Sequence, residues 1–117
     1  MNVDTRPPHS REACHASATQ LNTLLHVLAN QNRLHLLWLL TEREACVSEL
    51  GCLSGIVQPT LSQQLSILRR SGAVTTRREG KRIFYRVSTA SELVTMADTV
   101  RSLFLDVPIG KGTLKPL

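Results

Sequence analysis

Aromatic residues are scarce in this 117-residue chain. Two Phe, one Tyr and one Trp make up 3% of it, too few for the ring platforms on which proteins stack single-stranded nucleic acid. The chain has no run of 18 apolar residues, which argues against a membrane-spanning helix and a membrane partner. Residues 1–10 are polar and lack the apolar core of a signal peptide, so we expect a cytoplasmic protein.

Cysteines and catalytic motifs are also few. Three cysteines, Cys14, Cys46 and Cys52, are an odd number, and in a reducing compartment they do not indicate a disulfide framework. Paired carboxylates, a nucleophile motif and a phosphate-binding loop are missing, because Gly80-Lys81 and Gly110-Lys111-Gly112 lack the rest of a Walker pattern. The sequence therefore argues against an enzyme.

Positive charge is concentrated in one stretch of the chain. The sequence carries 14 Lys and Arg residues against 9 Asp and Glu residues, a net charge of +5. Residues 58–87 hold seven of the basic residues and one of the acids, whereas the rest of the chain holds seven basic and eight acidic residues. The excess is therefore local, as it is on a nucleic-acid-binding surface, and solubility alone does not require such clustering.

The pattern of apolar residues predicts a mainly α-helical domain with a β-hairpin. The predicted order is four helices, two strands and a fifth helix, with Ser10 as the cap of the first helix. The predicted helices span residues 11–30, 33–40, 47–54, 59–70 and 91–105. Residues 1–10 are predicted to be a flexible arm, residues 11–106 a single domain and residues 107–117 a disordered tail.

The middle of the chain has the pattern of a winged helix-turn-helix. A short helix with Leu50 and Leu53 facing inward ends at Gly55, and a second helix opens on Pro59, which suits a first helical position. That second helix has one apolar face and one polar face. Two strands then flank a basic turn around Gly80. A polar helix face beside a cationic hairpin is suited to binding double-stranded DNA.

Candidate DNA contacts follow from the chemistry of these side chains. Glutamine can pair with adenine through two hydrogen bonds, Ser and Thr can contact bases or phosphates, and Arg and Lys can contact phosphates or a narrow minor groove. Arg86 is expected to pair within the fold instead. The predicted DNA-binding residues are Gln58, Thr60, Ser62, Gln63, Gln64, Arg69, Arg77, Arg78, Lys81 and Arg82.

The order and spacing of these segments resemble the ArsR/SmtB family of winged-helix repressors. The resemblance covers about residues 21–104, and its reading helix and hairpin are most similar to the biofilm-growth repressor branch, whose members respond to reactive sulfur. It implies a symmetric dimer built on the first and last helices, an inverted-repeat operator and release by an inducer. The segments that carry it are Leu28-Ala29-Asn30, Arg33-Leu34, Val47-Ser48-Glu49-Leu50, residues 58–65, Leu68-Arg69 with Gly72, and Phe84-Tyr85-Arg86.

The sensor positions that this resemblance implies are altered in this chain. The arsenic-type box of the third helix has two cysteines separated by one residue, and here Cys46 holds the first position and Ser48 the second. The cysteine pair of the reactive-sulfur branch corresponds to Trp38 and approximately Leu105. The last helix has no histidine for the metal site that the family places there.

The cysteines leave several interpretations open. Cys46 is predicted at the N-terminus of the third helix, where the helix dipole favours a thiolate. Cys14 could meet Cys46 or Cys52 of the other subunit and bind arsenite or a soft metal ion. A thiol-redox switch is a second interpretation, and packing of Cys14 and Cys52 as small core residues is a third. We therefore predict a repressor released by a thiol-directed signal, with a constitutive or architectural DNA-binding protein as the alternative.

Overall fold

Five helices and a three-stranded sheet form residues 10–106, the part of the chain that this computed structural model describes. The predicted arm at residues 1–9 and the predicted tail at 107–117 lie outside the described residues. The helices are α1 (Arg11–Leu28), α2 (Gln31–Glu42), α3 (Val47–Ser54), α4 (Thr60–Arg70) and α5 (Glu92–Asp106). The strands are β1 (Ala45–Cys46), β2 (Val74–Glu79) and β3 (Arg82–Val87). The predicted winged helix-turn-helix is confirmed, with one short strand that the sequence did not predict.

Local side-chain and backbone chemistry sets the ends of the helices. Ser10 Oγ accepts a hydrogen bond from the N–H of Ala13 at 3.0 Å, and Asn30 Oδ1 accepts one from the N–H of Arg33 at 3.0 Å. Caps of this kind are each worth about 1 kcal/mol. Gly55 ends α3 with a φ of 74°, a left-handed conformation that glycine adopts without steric cost.

The central helix α2 carries most of the packing. It contacts the four other helices and β3, and its buried leucines are Leu36, Leu37 and Leu40. The buried face of α4 and the N-terminal half of α5 complete the core, where burial of each leucine contributes about 1.5–3 kcal/mol. Leu53 was expected to face inward, and this prediction is wrong, because Leu53 is 47% exposed. Leu50 is fully buried on the inward side of the two-turn helix α3, and Val47 packs partly buried against the same core.

The sheet has the strand order β1-β3-β2 and is antiparallel throughout. Strands β2 and β3 form the predicted hairpin, in which Val74 lies opposite Val87 and Glu79 opposite Arg82. Strand β1 pairs with the other edge of β3 and sets Cys46 opposite Phe84. Residues 43–44 lead α2 into this sheet and place the N-terminus of α3 beside the hairpin.

Helices α1 and α5 leave apolar side chains in solvent. Leu21 and Leu25 on α1 are each 47% exposed, and Leu103 and Phe104 on α5 are 59% and 49% exposed. The opposite face of α5 is held by α2, since the indole N–H of Trp38 donates to the carbonyl oxygen of Ala97 at 3.0 Å. No helix in residues 10–106 is long and apolar enough to span a membrane.

Candidate nucleic-acid interface

Helix α4 presents a mainly polar face to solvent because its three leucines are turned into the core. Leu61, Leu65 and Leu68 are at most 2% exposed, which confirms the predicted spacing of the buried face. On the outer side runs a shallow depression of about 510 Å³. The residues lining it are Ser62, Gln63, Gln64, Ser66, Ile67 and Arg70.

The start of α4 is capped from outside the helix. Pro59 stands just before the helix and not in its first turn, and its side chain has no acceptor to offer. The side chain of Gln58 takes this role, because its Oε1 accepts a hydrogen bond from the backbone N–H of Ser62 at 3.0 Å. Gln58 thus supports the reading helix before any ligand is bound.

The three glutamines of this segment differ in how much of their hydrogen-bonding capacity is already used. Oε1 of Gln58 bonds to Ser62, and Oε1 of Gln64 accepts from Arg33 Nη1 at 2.7 Å. The exposed side chain of Gln63 forms no hydrogen bond with any part of residues 10–106. Of the three, Gln63 is therefore the one with both its acceptor and its donors open to a ligand.

The tip of the hairpin carries exposed cations. Arg78 and Lys81 flank the turn at Gly80, which has a φ of 63°. The Nε of Arg78 donates to the carbonyl oxygen of Gly80 at 3.1 Å and so closes the turn. Arg69, near the C-terminal end of α4, is a further exposed cation. We define this surface, α4 together with the β2–β3 hairpin, as the reading face.

Two other hairpin arginines are engaged within the protein. Arg77 bonds to both carboxylate oxygens of Glu44 at 2.7–2.9 Å and to Glu79 Oε2 at 2.8 Å. These hydrogen bonds lower the pKa of Glu44 and raise the pKa of Arg77. Arg77 and Arg82 also lie over the ring of Phe84, at 4.6 and 5.4 Å from its centroid. Nearby, Arg86 bonds to Thr75 Oγ1 at 3.4 Å, within the hairpin as expected.

Cys46 sits where α3 meets the hairpin. Its Sγ lies 3.2 Å from the hydroxyl of Ser48 and accepts from Arg82 Nη2 at 3.2 Å. Its backbone N–H donates to Glu49 Oε1 at 3.0 Å. The pKa of the Cys46 thiol is lowered, first by the Ser48 hydroxyl, then by the backbone N–H of Glu49, with a smaller contribution from Arg82. The predicted position of Cys46 at the start of α3 is confirmed.

The other two thiols have different surroundings. Cys14 on α1 and Cys52 on α3 are exposed, so packing as small core residues is ruled out for both within one subunit. Across residues 10–106, no three His, Cys, Asp or Glu side chains are grouped closely enough to hold a metal ion. Trp38, at one of the altered sensor positions, is bound to α5, and the side chain of Leu105 lies outside the described residues.

Two residues with structural roles at this surface were not predicted from the sequence. Glu44 holds Arg77 from 33 positions away, and Arg33 holds Gln64 from 31 positions away. The only local signals were an acid close to β1 and an arginine three residues after the cap Asn30. Neither signal identifies a partner so distant in sequence.

The chain matches known regulatory proteins over most of its length. The family model described as "Bacterial regulatory protein, arsR family" matches residues 30–76. The "Biofilm growth-associated repressor" of Xylella fastidiosa (strain 9a5c) is 46% identical over 102 residues, which make up 86% of this chain and 90% of that protein.

Solved structures agree with this match. The crystal structure of the transcriptional repressor BigR from Xylella fastidiosa has a TM-score of 0.75 and 40% identity, covering 83% of this chain and 95% of that one. A homodimeric winged helix-turn-helix DNA-binding domain from Mycobacterium bovis has a TM-score of 0.65 and 28% identity, covering 81% of this chain and 87% of that one. The predicted fold and its hairpin wing are thus found in experimentally determined structures.

Proposed function

This chain belongs to the arsR family of bacterial regulatory proteins, and we propose that it acts as a homodimeric repressor that binds an inverted-repeat operator and is released by a thiol-directed signal at Cys46. Its relatives are transcriptional regulators, so the chain is a DNA-binding regulator and not an enzyme. The observation that carries the proposal is the reading face, where a polar helix lies beside a cationic hairpin. The operator, the dimer and the signal are the proposed parts.

The polar face of α4 supports binding in a major groove. A groove about 12 Å wide admits one helix, and exposed side chains such as Gln63 and Ser62 supply donors and acceptors for base edges. Arg69, Arg78 and Lys81 are exposed cations on α4 and the hairpin, and in this proposal they neutralise phosphates. Arg77 and Arg82 would join them only by exchanging bonds that they make within the protein.

The exposed apolar residues of α1 and α5 support a symmetric dimer. Leu21, Leu25, Leu103 and Phe104 would remain in water in a monomer, and burial against a second copy would remove this cost. A two-fold dimer presents two reading helices, which match two half-sites about one helical turn apart. The homodimeric relative from Mycobacterium bovis is consistent with this assembly.

The surroundings of Cys46 support a thiol-directed signal. A lowered pKa raises the fraction of thiolate, which is the form that reacts with sulfur donors or binds soft metals. A persulfide donor would transfer its outer sulfur to the Cys46 thiolate and leave as a thiolate itself. Modification of Sγ would disturb its bond to Arg82 and so reach the wing directly. Arsenite would need further thiolates, which Cys14 or Cys52 of the partner subunit would supply.

Binding to DNA can be tested by electrophoretic mobility shift with the region upstream of the gene. Affinity should fall steeply with salt, and Lys81→Ala, which removes one cation from each half-site of the dimer, should reduce the slope of log affinity against log salt by about 2. Arg11→Ala, at the exposed start of α1, is the matched charge control and should leave the slope unchanged. Equal slopes for the wild type and Lys81→Ala would contradict the placement of the wing on DNA.

Release can be tested with three single Cys→Ser variants and the triple variant. Arsenite and a persulfide donor are applied separately to the DNA complex, and mass spectrometry identifies the modified thiol. We expect Cys46→Ser to stop release, and Cys14→Ser or Cys52→Ser to stop it only if the signal bridges subunits. Release from the triple variant would rule out a thiol sensor.

The alternative is a constitutive regulator with no inducer. It is favoured by the absence of a grouped set of metal ligands from residues 10–106 and by the altered sensor positions at Ser48 and Trp38. A wild-type complex that resists both reagents, although Cys46 is modified, would support this alternative over thiol-directed release.

A further inference from the structure

Arg33 joins three helices through a single guanidinium group. It lies in the first turn of α2, and its Nε and Nη2 donate to the carbonyl oxygens of Val27 and His26 in the last turn of α1. Its Nη1 donates to Oε1 of Gln64 on α4 at 2.7 Å. The last carbonyls of a helix lack partners within that helix, so the rigid fork of Arg33 caps α1 while it holds α4.

The bond to Gln64 determines which end of its amide is available to a ligand. A guanidinium has donors and no acceptor, so the amide atom that faces Arg33 must be the oxygen. The NH₂ group of Gln64 is then the end directed away from Arg33. Gln64 is half-buried and also lines the depression on the outer side of α4, so its free end borders the reading face.

We propose that Arg33 is a positioning residue for DNA binding, which ties the reading helix to the end of α1 and sets Gln64 with its NH₂ group toward an acceptor on the DNA. The inference rests on the proposed DNA binding. Pairing with adenine through two hydrogen bonds requires both ends of an amide in the plane of the base, and Arg33 occupies one of the two acceptor sites of the Gln64 oxygen and fixes the orientation of that amide. Gln64 therefore donates to a phosphate oxygen or to a base-edge acceptor, and adenine pairing falls to Gln63.

The same contact links the reading helix to the dimer. Helix α1 carries exposed Leu21 and Leu25 on the proposed dimer face, and its last turn is where Arg33 bonds. Arg33 thus transmits the orientation of α1 to α4 in each subunit. Because it caps α1 internally, Arg33 affects DNA binding through Gln64 without itself touching phosphate.

A double-mutant cycle tests this coupling. The probe is a duplex selected by the wild-type protein from random sequences, and binding is followed by fluorescence anisotropy at fixed salt. Arg33→Ala and Gln64→Ala should each weaken binding of the dimer roughly 100-fold, which is roughly tenfold for the loss of one hydrogen bond to a charged group in each half-site. The double variant should bind the duplex about as tightly as the weaker of the two single variants, because both changes remove the same bond.

A control cycle and the salt slope distinguish positioning from direct contact. Arg33 and Gln63 share no bond, so the effects of Arg33→Ala and Gln63→Ala should multiply. Arg33→Ala should leave the salt slope unchanged. A slope lowered by about 2, one unit for each subunit, would show that Arg33 contacts phosphate and would overturn the proposal. Independent effects of Arg33 and Gln64 would also overturn it while leaving DNA binding itself intact, whereas a wild type that selects no duplex would overturn both.

Gln64→Glu separates the two ends of the amide. The carboxylate keeps an oxygen for Arg33 but removes the NH₂ donor. The midpoint temperature of thermal unfolding should therefore stay unchanged, while affinity for the selected duplex falls at least roughly tenfold. Wild-type affinity in this variant would overturn the assignment of the donor. Loss of sequence preference at one base pair per half-site would identify the acceptor as a base edge. An equal loss of affinity for all sequences would identify it as a phosphate. If Arg33→Ala fails to fold, Arg33→Lys replaces it, because a single ammonium cannot reproduce the fork.

Discussion

Several polar side chains of the reading face already have partners in the free protein. Gln58 caps α4, Gln64 is held by Arg33, and Arg82 donates to Cys46. A group that must exchange one hydrogen bond for another gains only a small net free energy on binding. We therefore expect the largest effects of substitution on DNA affinity at Gln63 and Lys81, whose side chains form no hydrogen bond within residues 10–106, and at Arg78, whose side chain bonds only to the backbone of Gly80.

The lowered pKa of the Cys46 thiol can be measured from the pH dependence of its alkylation. In a Cys14→Ser/Cys52→Ser background, the rate of alkylation by iodoacetamide should reach half of its plateau at a lower pH than in the urea-unfolded chain. The physical reason is that the Ser48 hydroxyl and the Glu49 N–H stabilise the thiolate and lower the pKa of Cys46 in the folded protein. Ser48→Ala should move the curve to higher pH.

The lowered pKa of Cys46 also predicts how the free energy of unfolding depends on pH. Because the folded pKa lies below the unfolded one, the thiolate contributes stability that is present above the unfolded pKa and is lost as pH falls through the folded pKa. Urea denaturation across this window should therefore show Cys46→Ser losing the pH dependence that the Cys46 protein retains. Identical pH dependence in the two proteins would contradict the role of the local donors.

At the scale of elements, the turn between α3 and α4 depends on a left-handed glycine. A Cβ at Gly55 would meet no atom within 4 Å, so the cost of Gly55→Ala comes from backbone strain alone, about 1–2 kcal/mol. Gly51→Ala is the matched control, since a Cβ there would lie 3.5 Å from Leu61 Cδ2, an ordinary contact, inside a helix that favours alanine. Urea denaturation should show Gly55→Ala destabilised and Gly51→Ala neutral or stabilised.

In the β2–β3 hairpin, Arg77 is held by the carboxylates of Glu44 and Glu79. Glu44→Gln should strengthen DNA binding several-fold, because it frees Arg77 from a bidentate carboxylate and removes a negative charge beside the reading face. The slope of log affinity against log salt should become steeper by about 2 if Arg77 of each subunit then reaches a phosphate.

Glu12→Gln provides the control for net charge. Glu12 lies in the first turn of α1, and its substitution changes the charge of the chain equally without touching the wing. Mobility shifts of the two variants over a salt series separate local from global charge. Weaker binding by Glu44→Gln would show instead that the bond between Glu44 and Arg77 organises the wing for DNA.

At the scale of the whole molecule, the proposed dimer predicts the consequences of charging α1. Leu25→Glu should shift the protein toward a monomer in sedimentation equilibrium, because a carboxylate buried in an apolar interface without a partner is strongly unfavourable. Operator affinity should then fall on the order of 100-fold, since a monomer cannot occupy both half-sites together.

Leu53→Glu is the matched control for this prediction. Leu53 on α3 is 47% exposed, the same as Leu25, but it does not belong to the exposed apolar faces of α1 and α5. The Leu53→Glu protein should remain a dimer. If both variants sediment as the wild type does, the faces of α1 and α5 do not form the interface.

Properties that depend on neighbouring residues could be predicted from the sequence. The spacing of Leu61, Leu65 and Leu68 determines the buried face of α4, and the left-handed glycines at Gly55 and Gly80 mark where elements end. The charge excess of residues 58–87 is likewise visible in the sequence. Helix periodicity, turn chemistry and charge are local quantities, so folding does not change where they lie along the chain.

The tertiary structure decided which of these side chains are bound within the protein. Arg33 and Gln64, Glu44 and Arg77, and Cys46 and Arg82 are 31, 33 and 36 positions apart. Their contacts exist because α2 packs between α1 and α4, and because the short strand β1 adds Cys46 to the edge of the hairpin. A two-residue strand has too few residues to show a period, and the partner of a polar side chain depends on how distant elements pack. The sequence alone thus determined the reading face, and the fold determined how its side chains are held and coupled to Cys46 and to α1.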